Sequence, residues 1–265
     1  SKTDTQEHIN PALHRLYRGI VGHLGFLVTM TRCDLAFSYA ELSKFVACPG
    51  QAHLDEAKHV LRYLRGTHDR GITYSAPVDA KMLHRCMGWV DSDFAADPDT
   101  RRSVTGYVLS LNNGPVSWKS KRQDCVTLSS AEAEYVAASM CAQEVVYIRA
   151  LLVSFGKPQD GPTEVWEDNQ SCIYMSENPS HRKYSGHIDT RSYYVRDLVR
   201  DRVIRLRKVA GPRNVADANT KSLPGPAFKQ HREYMWGTRE PFQAFFSCAR
   251  VTGPEITLQQ IAPLA

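Results

Sequence analysis

The sequence lacks an apolar run of the roughly 20 residues that a membrane span requires. Its longest, Gly19 to Met30, is interrupted by His23, so no membrane association is expected. It opens on no charged-then-apolar leader, and a secreted product is not expected either. No CxxC pair and no closely spaced Cys/His set occurs. The seven cysteines, at 33, 48, 86, 125, 141, 172 and 248, are scattered, which argues against a zinc site and a disulfide framework and for a reducing interior compartment. Neither sign of charge dominates: 33 Lys+Arg against 28 Asp+Glu leave +5, too mild an excess to name a partner. What remains is a globular balance, 42% hydrophobic and 23% charged, over 265 residues. That is long for one ordinary domain.

Two rhythms divide the chain. Tyr17, Ile20, Val21, Leu24, Leu27 and Val28 recur at helical spacing, and Ala57, Leu61 and Leu64 form a second stripe after the breaker Cys48-Pro49-Gly50. Gly71 to Ser75 reads as a short strand, and a boundary is expected near residue 80. Beyond it, strands are predicted at Met87–Asp93, Val104–Ser110 and Pro115–Ser120. The last two are joined by Asn112-Asn113-Gly114, whose residues tolerate positive φ. A long helix, Ser130 to Phe155, precedes a strand at Val165-Trp166, helices at Gln170–Ser176 and His187–Arg200, a strand at Val203–Val209 and a helix at Asn214–Lys221. This order predicts an α/β fold with a five-stranded mixed sheet flanked by helices, preceded by a small mainly helical segment. From residue 224 no period is evident.

Acidic residues fall where such strands end or helices begin. Asp91 and Asp93 share one face of the first strand, Glu132 lies in the first turn of the long helix, Asp168 closes the fourth strand and Asp217 opens the last helix. Converging carboxylates repel one another unless cations hold them. Mg²⁺ prefers such oxygen ligands, and two ions can activate a water against a phosphodiester. Each residue also has a plain structural use. Ser129-x-x-Glu132 has capping-box spacing, Asp217 suits a helix start, Asp168-Asn169 suits a turn, and Asp91 and Asp93 suit a solvated strand.

At these residues the sequence resembles the ribonuclease H domain of copia-type (pseudovirid) LTR-retrotransposon polyproteins. The resemblance runs in order through Val90-Asp91-Ser92-Asp93-Phe94, Arg102-Ser103-Val104-Thr105-Gly106-Tyr107 and Val116-Ser117-Trp118-Lys119-Ser120-Lys121. It continues through Leu128-Ser129-Ser130-Ala131-Glu132-Ala133-Glu134-Tyr135, Glu167-Asp168-Asn169-Gln170, His187-Ile188-Asp189 and Ala216-Asp217-Ala218-Asn219-Thr220-Lys221. Upstream, Tyr17-Arg18-Gly19-Ile20-Val21-Gly22 and Leu61-Arg62-Tyr63-Leu64-Arg65-Gly66-Thr67 resemble the end of the family's reverse transcriptase.

The resemblance implies a ribonuclease H-like fold over residues 84–223, a reverse-transcriptase remnant over 1–80 and an unassigned tail over 224–265. It places the catalytic and metal-binding set on Asp91, Glu132, Asp168 and Asp217, with Glu132 preferred to Glu134, and implies two Mg²⁺ ions, with Mn²⁺ as a substitute. The implied reaction is hydrolysis of the RNA strand of an RNA–DNA hybrid. The implied setting is intracellular: cytoplasm, virus-like particles or nucleus. The implied partners are the hybrid and the palm and fingers of the polyprotein's reverse transcriptase. No Tyr-x-Asp-Asp signature occurs, so no polymerase activity is expected of this chain. The loop Lys208–Ala216 has no histidine where cellular ribonucleases H often carry one for product release; Arg213 stands there instead.

Basic residues cluster at Arg101, Arg102, Lys119, Lys121 and Arg122, with Trp118 among them. These residues, with Asn169 and Arg213 and with His181, Arg182 and Lys183 as additions, are the expected nucleic-acid surface. The competing expectation is a catalytically silent module of the same fold that binds nucleic acid or a protein partner.

Overall fold

The computed structural model describes residues 10–178 and 186–238. Helix α1 (Pro11–Met30) starts at Asn10, whose side chain accepts from the Ala12 and Leu13 N–H groups, and Pro11 sits in the first turn, where its missing N–H removes no helical bond. The three- and four-residue spacing of Tyr17, Val21, Leu24 and Val28 makes its buried face. Helices α2 (Ala36–Ser43) and α3 (Gln51–Gly66) close over that face through Leu42, Leu54, Ala57 and Val60.

Strands β1 (Cys86–Asp93), β2 (Val104–Leu111) and β3 (Gly114–Arg122) form an antiparallel meander. Its second turn places Asn112 at φ 49° and Asn113 at φ 64°, the handedness that a two-residue hairpin demands. Helix α4 (Ser130–Ser154) crosses back, and β4 (Thr163–Glu167) pairs parallel with β1. Helices α5 (Gln170–Glu177) and α6 (Gly186–Arg200) lead to β5 (Ile204–Lys208), which is parallel to β4. The sheet order β3-β2-β1-β4-β5 is that of the ribonuclease H-like fold.

Strand alternation sends Val90, Tyr107, Leu109, Val165 and Leu206 beneath α4, α5 and α6. Met87, Trp89 and Val108 point the other way, against Cys33, a 3₁₀ turn (Val215–Asn219) and Met235 of helix α7 (Gly225–Met235). β1 is therefore covered on both faces and almost wholly buried. Among the described residues α4 is the one helix long and apolar enough to cross a membrane; its apolar residues Ala137, Ala138, Cys141 and Val145 lie in the sheet-facing core.

Three expectations change. Gly71–Ser75 is no strand. Its two backbone bonds go to different partners, Thr73 N–H to the Trp236 carbonyl (2.8 Å) and Ser75 N–H to the Asn112 carbonyl (3.0 Å), so it is a strap and not a ladder. Asn214–Lys221 forms a 3₁₀ turn instead of an α-helix, because Asn214 is pinned to the sheet, donating to the Val90 carbonyl at 2.8 Å while accepting from Ala216 N–H. The stretch after 224 contains α7, docked on the sheet face opposite α4.

Candidate functional site

The C-terminal end of β1, the N-terminal part of α4, the end of β4 and the 3₁₀ turn meet at one end of the sheet. One carboxylate oxygen from each of Asp91, Glu134 and Asp168 lies within 4.8 Å of the others. Asp91 is 1% exposed and Glu134 6%. The turn bearing Asp217 can lie flush on β2 because Gly106 has no side chain; a Cβ there would meet Thr220 Cγ2 at 2.6 Å and the Ala216 carbonyl at 2.9 Å. Asn219 fastens the turn further by donating to the Tyr107 carbonyl at 3.1 Å. Thr220 Oγ1 donates to Asp91 Oδ2. Lys221 Nζ lies 3.6 Å from Asp91 Oδ2 and 3.2 Å from Asp217 Oδ1.

Burial, with mutual repulsion added, raises the proton affinity of this group. Glu134 is held far above the usual carboxylate range by desolvation, then by Glu167, Asp91 and Asp168. Asp217 is pushed up to about 7 by burial and by Asp91, against the opposing pull of Lys221. Asp168 and Asp93 are raised by burial first and by Asp91 after it. Glu167, fully buried directly before Asp168, is also raised by burial, although its Oε1 accepts from the Asn169 N–H at 2.9 Å. Among the described residues, buried Glu134 Oε2 accepts no hydrogen bond of good geometry, and the nearby Ser92 hydroxyl only partly opposes the rise. An all-oxygen set with an unpartnered buried acceptor fits a hard divalent cation such as Mg²⁺ or Mn²⁺.

The carboxylate that α4 contributes to this cluster is Glu134, not Glu132. Glu132 Oε2 accepts from the Leu128 N–H at 2.6 Å while its own N–H donates to Ser129 Oγ at 3.2 Å. It is thus engaged in capping the helix, and two residues of helix turn carry Glu134 to the opposite side, toward the end of the sheet. Ser129-x-x-Glu132 was the signal for this. Asp91 and Asp168 lie in the cluster, and Asp217 lies beside it, tied to Lys221. Lys221 and Thr220 were missed; the i,i+4 spacing from Asp217 to Lys221 could have shown the ion pair.

The expected nucleic-acid residues separate into two groups. Trp118 is engaged in the fold: its Nε1 donates to the Val28 carbonyl at 2.8 Å, and its ring packs against the N-terminal helices. Arg122 pairs with Asp97 at 2.9 Å, and Asn169 Oδ1 caps α5 through the Ser171 and Cys172 N–H groups. Lys121 pairs with Asp124 at 3.0 Å on the surface. Arg101 and Lys119 are exposed and make no ion pair among the described residues; Arg102 is part-buried near Asp124. Arg213 is exposed on the loop whose Gly211 approaches Asp168 so closely that a Cβ would lie 3.1 Å from Oδ2. His181, Arg182 and Lys183 lie outside the described residues.

Among known proteins, the Pol polyprotein of transposon TNT 1-94 from Nicotiana tabacum is 35% identical over 219 residues, 82% of this chain and 16% of that protein. The Pol polyprotein of transposon RE1 from Arabidopsis thaliana is 34% identical over 225 residues, 85% of this chain and 15% of that protein. The chain thus spans about one sixth of these relatives. A much shorter relative, secreted RxLR effector protein 161 of Plasmopara viticola, is 42% identical over 132 residues, 50% of this chain and 90% of that protein. No protein-family model matches the chain. Among solved structures, LC11-RNase H1 from compost aligns with 56% of this chain and 98% of its own at 14% identity and a TM-score of 0.41. At that score the sheet order, and not the superposition, identifies the fold.

Proposed function

Because the chain belongs to the retrovirus-related Pol polyproteins of copia-type transposons, we propose that it is their ribonuclease H, a metal-dependent endonuclease that hydrolyses the RNA strand of RNA–DNA hybrids. The observation that carries this reading is the clustering of Asp91, Glu134 and Asp168 within 4.8 Å at the end of the sheet. In this reading these three carboxylates hold the divalent ion, with Asp217 at the rim. A divalent ion bound there would supply electrophilic stabilisation to the scissile phosphate and lower the pKa of an attacking water. The chain's own residues do the placing. The 3₁₀ turn holds Asp217 and Thr220 against Asp91, and Asn169 fixes the start of α5 directly after Asp168. Arg101, Arg102 and Lys119, with Lys121 behind its exposed pair, offer phosphate contacts at the hairpin, and Arg213 offers one beside Asp168. Such contacts make binding fall with salt. The helices before residue 80 are assigned to the end of the reverse transcriptase and serve as a support; the rest of the polyprotein and the hybrid are the partners.

The test is cleavage of a labelled RNA–DNA hybrid in Mg²⁺ or Mn²⁺. Glu134→Gln and Asp168→Asn are expected to lower the rate at least about a hundredfold, the scale of losing a group that stabilises developing charge, while Glu132→Gln keeps most of it. Cleavage that survives Glu134→Gln refutes the assignment of that ligand. Hybrid binding without cleavage by the unaltered chain identifies a silent binding module instead.

A further inference from the structure

Lys221 sits where a site of four carboxylates would otherwise hold a cation. Its ammonium lies between Asp91 Oδ2 and Asp217 Oδ1, 3.6 and 3.2 Å away, and Asp217 stays outside the close group formed by Asp91, Glu134 and Asp168. Thr220 Oγ1 donates to the same Asp91 oxygen, fixing the carboxylate face that Lys221 meets. Lys221 follows Asp217 by four positions, just past the end of the 3₁₀ turn, and Asn219, bonded to the Tyr107 carbonyl, anchors that turn to the sheet. The backbone that carries Lys221 is therefore fixed, and the two carboxylates draw its part-exposed ammonium between them.

We propose that Lys221 is a built-in counter-cation that sets the metal stoichiometry of the site. The resting chain admits one divalent ion, among Asp91, Glu134 and Asp168, and a second ion reaches the Asp91–Asp217 side only by displacing Lys221. A divalent ion placed there meets the ammonium between its two carboxylate ligands, whereas the trio is touched by Lys221 only through Asp91 and, among the described residues, no lysine bridges two of its carboxylates. The inference rests on the metal-centre reading above, and its test separates the two.

Mn²⁺ binding to the complete chain without nucleic acid, followed by calorimetry and by the loss of the free-ion electron paramagnetic resonance signal, counts the ions. The unaltered chain is expected to bind one ion tightly. Lys221→Met, which keeps an unbranched side chain one atom shorter and removes the charge, is expected to bind a second ion roughly tenfold or more tighter than the unaltered chain does, the scale of deleting one nearby unit charge. Lys221→Arg is expected to behave as the unaltered chain. Two ions of equal affinity in the unaltered chain overturn the proposal without any variant, so it stays testable even if Lys221→Met does not fold. Equal binding by a folded Lys221→Met also overturns it. No binding by the unaltered chain removes the metal centre itself, and the role of Lys221 with it.

Discussion

Glu132 and Glu134 differ by two positions and by everything that decides their chemistry. Glu132 bonds to backbone in the first turn, whereas Glu134 is buried among like charges with one oxygen unpartnered. Replacing Glu132 by Ala is expected to lower stability by about 1 kcal/mol, the usual scale of a lost cap interaction, as a urea melt would measure. The acidic cluster also fixes a pH dependence. Glu134, Glu167, Asp168 and Asp217 all bind protons more tightly folded than unfolded. The metal-free chain therefore loses stability as pH rises from the ordinary Asp value of 3.8 to about 7, where Asp217 ionises. Asp97 acts in the opposite direction. Arg122 and Thr100 hold its pKa below the ordinary range despite burial, so its contribution disappears only in stronger acid. Since a cation needs the carboxylates ionised, Mn²⁺ is expected to raise Tm more at about pH 8 than at about pH 5; an equal rise at both contradicts this. The sequence could show which elements bring acid to the site. It could not rank Glu132 against Glu134, because helical spacing says only that they diverge, and the capping signature was the one local clue.

At the scale of elements, the site depends on how closely a 3₁₀ turn can approach a strand. Gly106→Ala puts a methyl group 2.6 Å from Thr220 Cγ2 and 2.9 Å from the Ala216 carbonyl. One of these is backbone, so the turn must lift and take Asp217, Thr220 and Lys221 with it. The expected result is a loss of about 1–3 kcal/mol in thermal or urea unfolding, as overpacking brings, together with weakened Mn²⁺ binding. A variant with unaltered binding would show that the turn adjusts without moving the site. The strands and α4 were legible because their periodicity reports burial on one or both faces. The strap at Gly71–Ser75 and the 214–221 turn were not, since their form is set by distant partners: Trp236 and Asn112 for one, Val90 for the other. Likewise α7 carries a weak pattern of its own, and what holds it is the sheet face it covers.

Across the whole molecule, the N-terminal helices and the sheet are joined by buried polar contacts as well as apolar ones. Arg32 grips Asp34 with two hydrogen bonds of 2.9 and 2.8 Å, both side chains being almost fully buried, and the Tyr63 hydroxyl donates to the same carboxylate at 2.7 Å. Arg232 of α7 stacks over Trp236 at 4.5 Å and faces Tyr63 at 5.7 Å, linking the last described helix to the third. Asp34→Ala leaves Arg32 buried without its partner and is expected to destabilise the chain by about 3–5 kcal/mol. Urea unfolding followed by tryptophan fluorescence and by circular dichroism is expected to shift as one transition; two separate transitions would mean that the helices and the sheet unfold independently. Neither the network nor its reach could be read from sequence, because its members are spread over 200 positions and no local pattern joins them. The Cys33 thiol bonds to the carbonyl of Met235, 202 residues along the chain. Contacts of such sequence separation raise the contact order, which slows folding. A chain that stops before Met235 is therefore expected to leave the Cys33 and Arg32 side of the N-terminal helices uncovered and open to proteases.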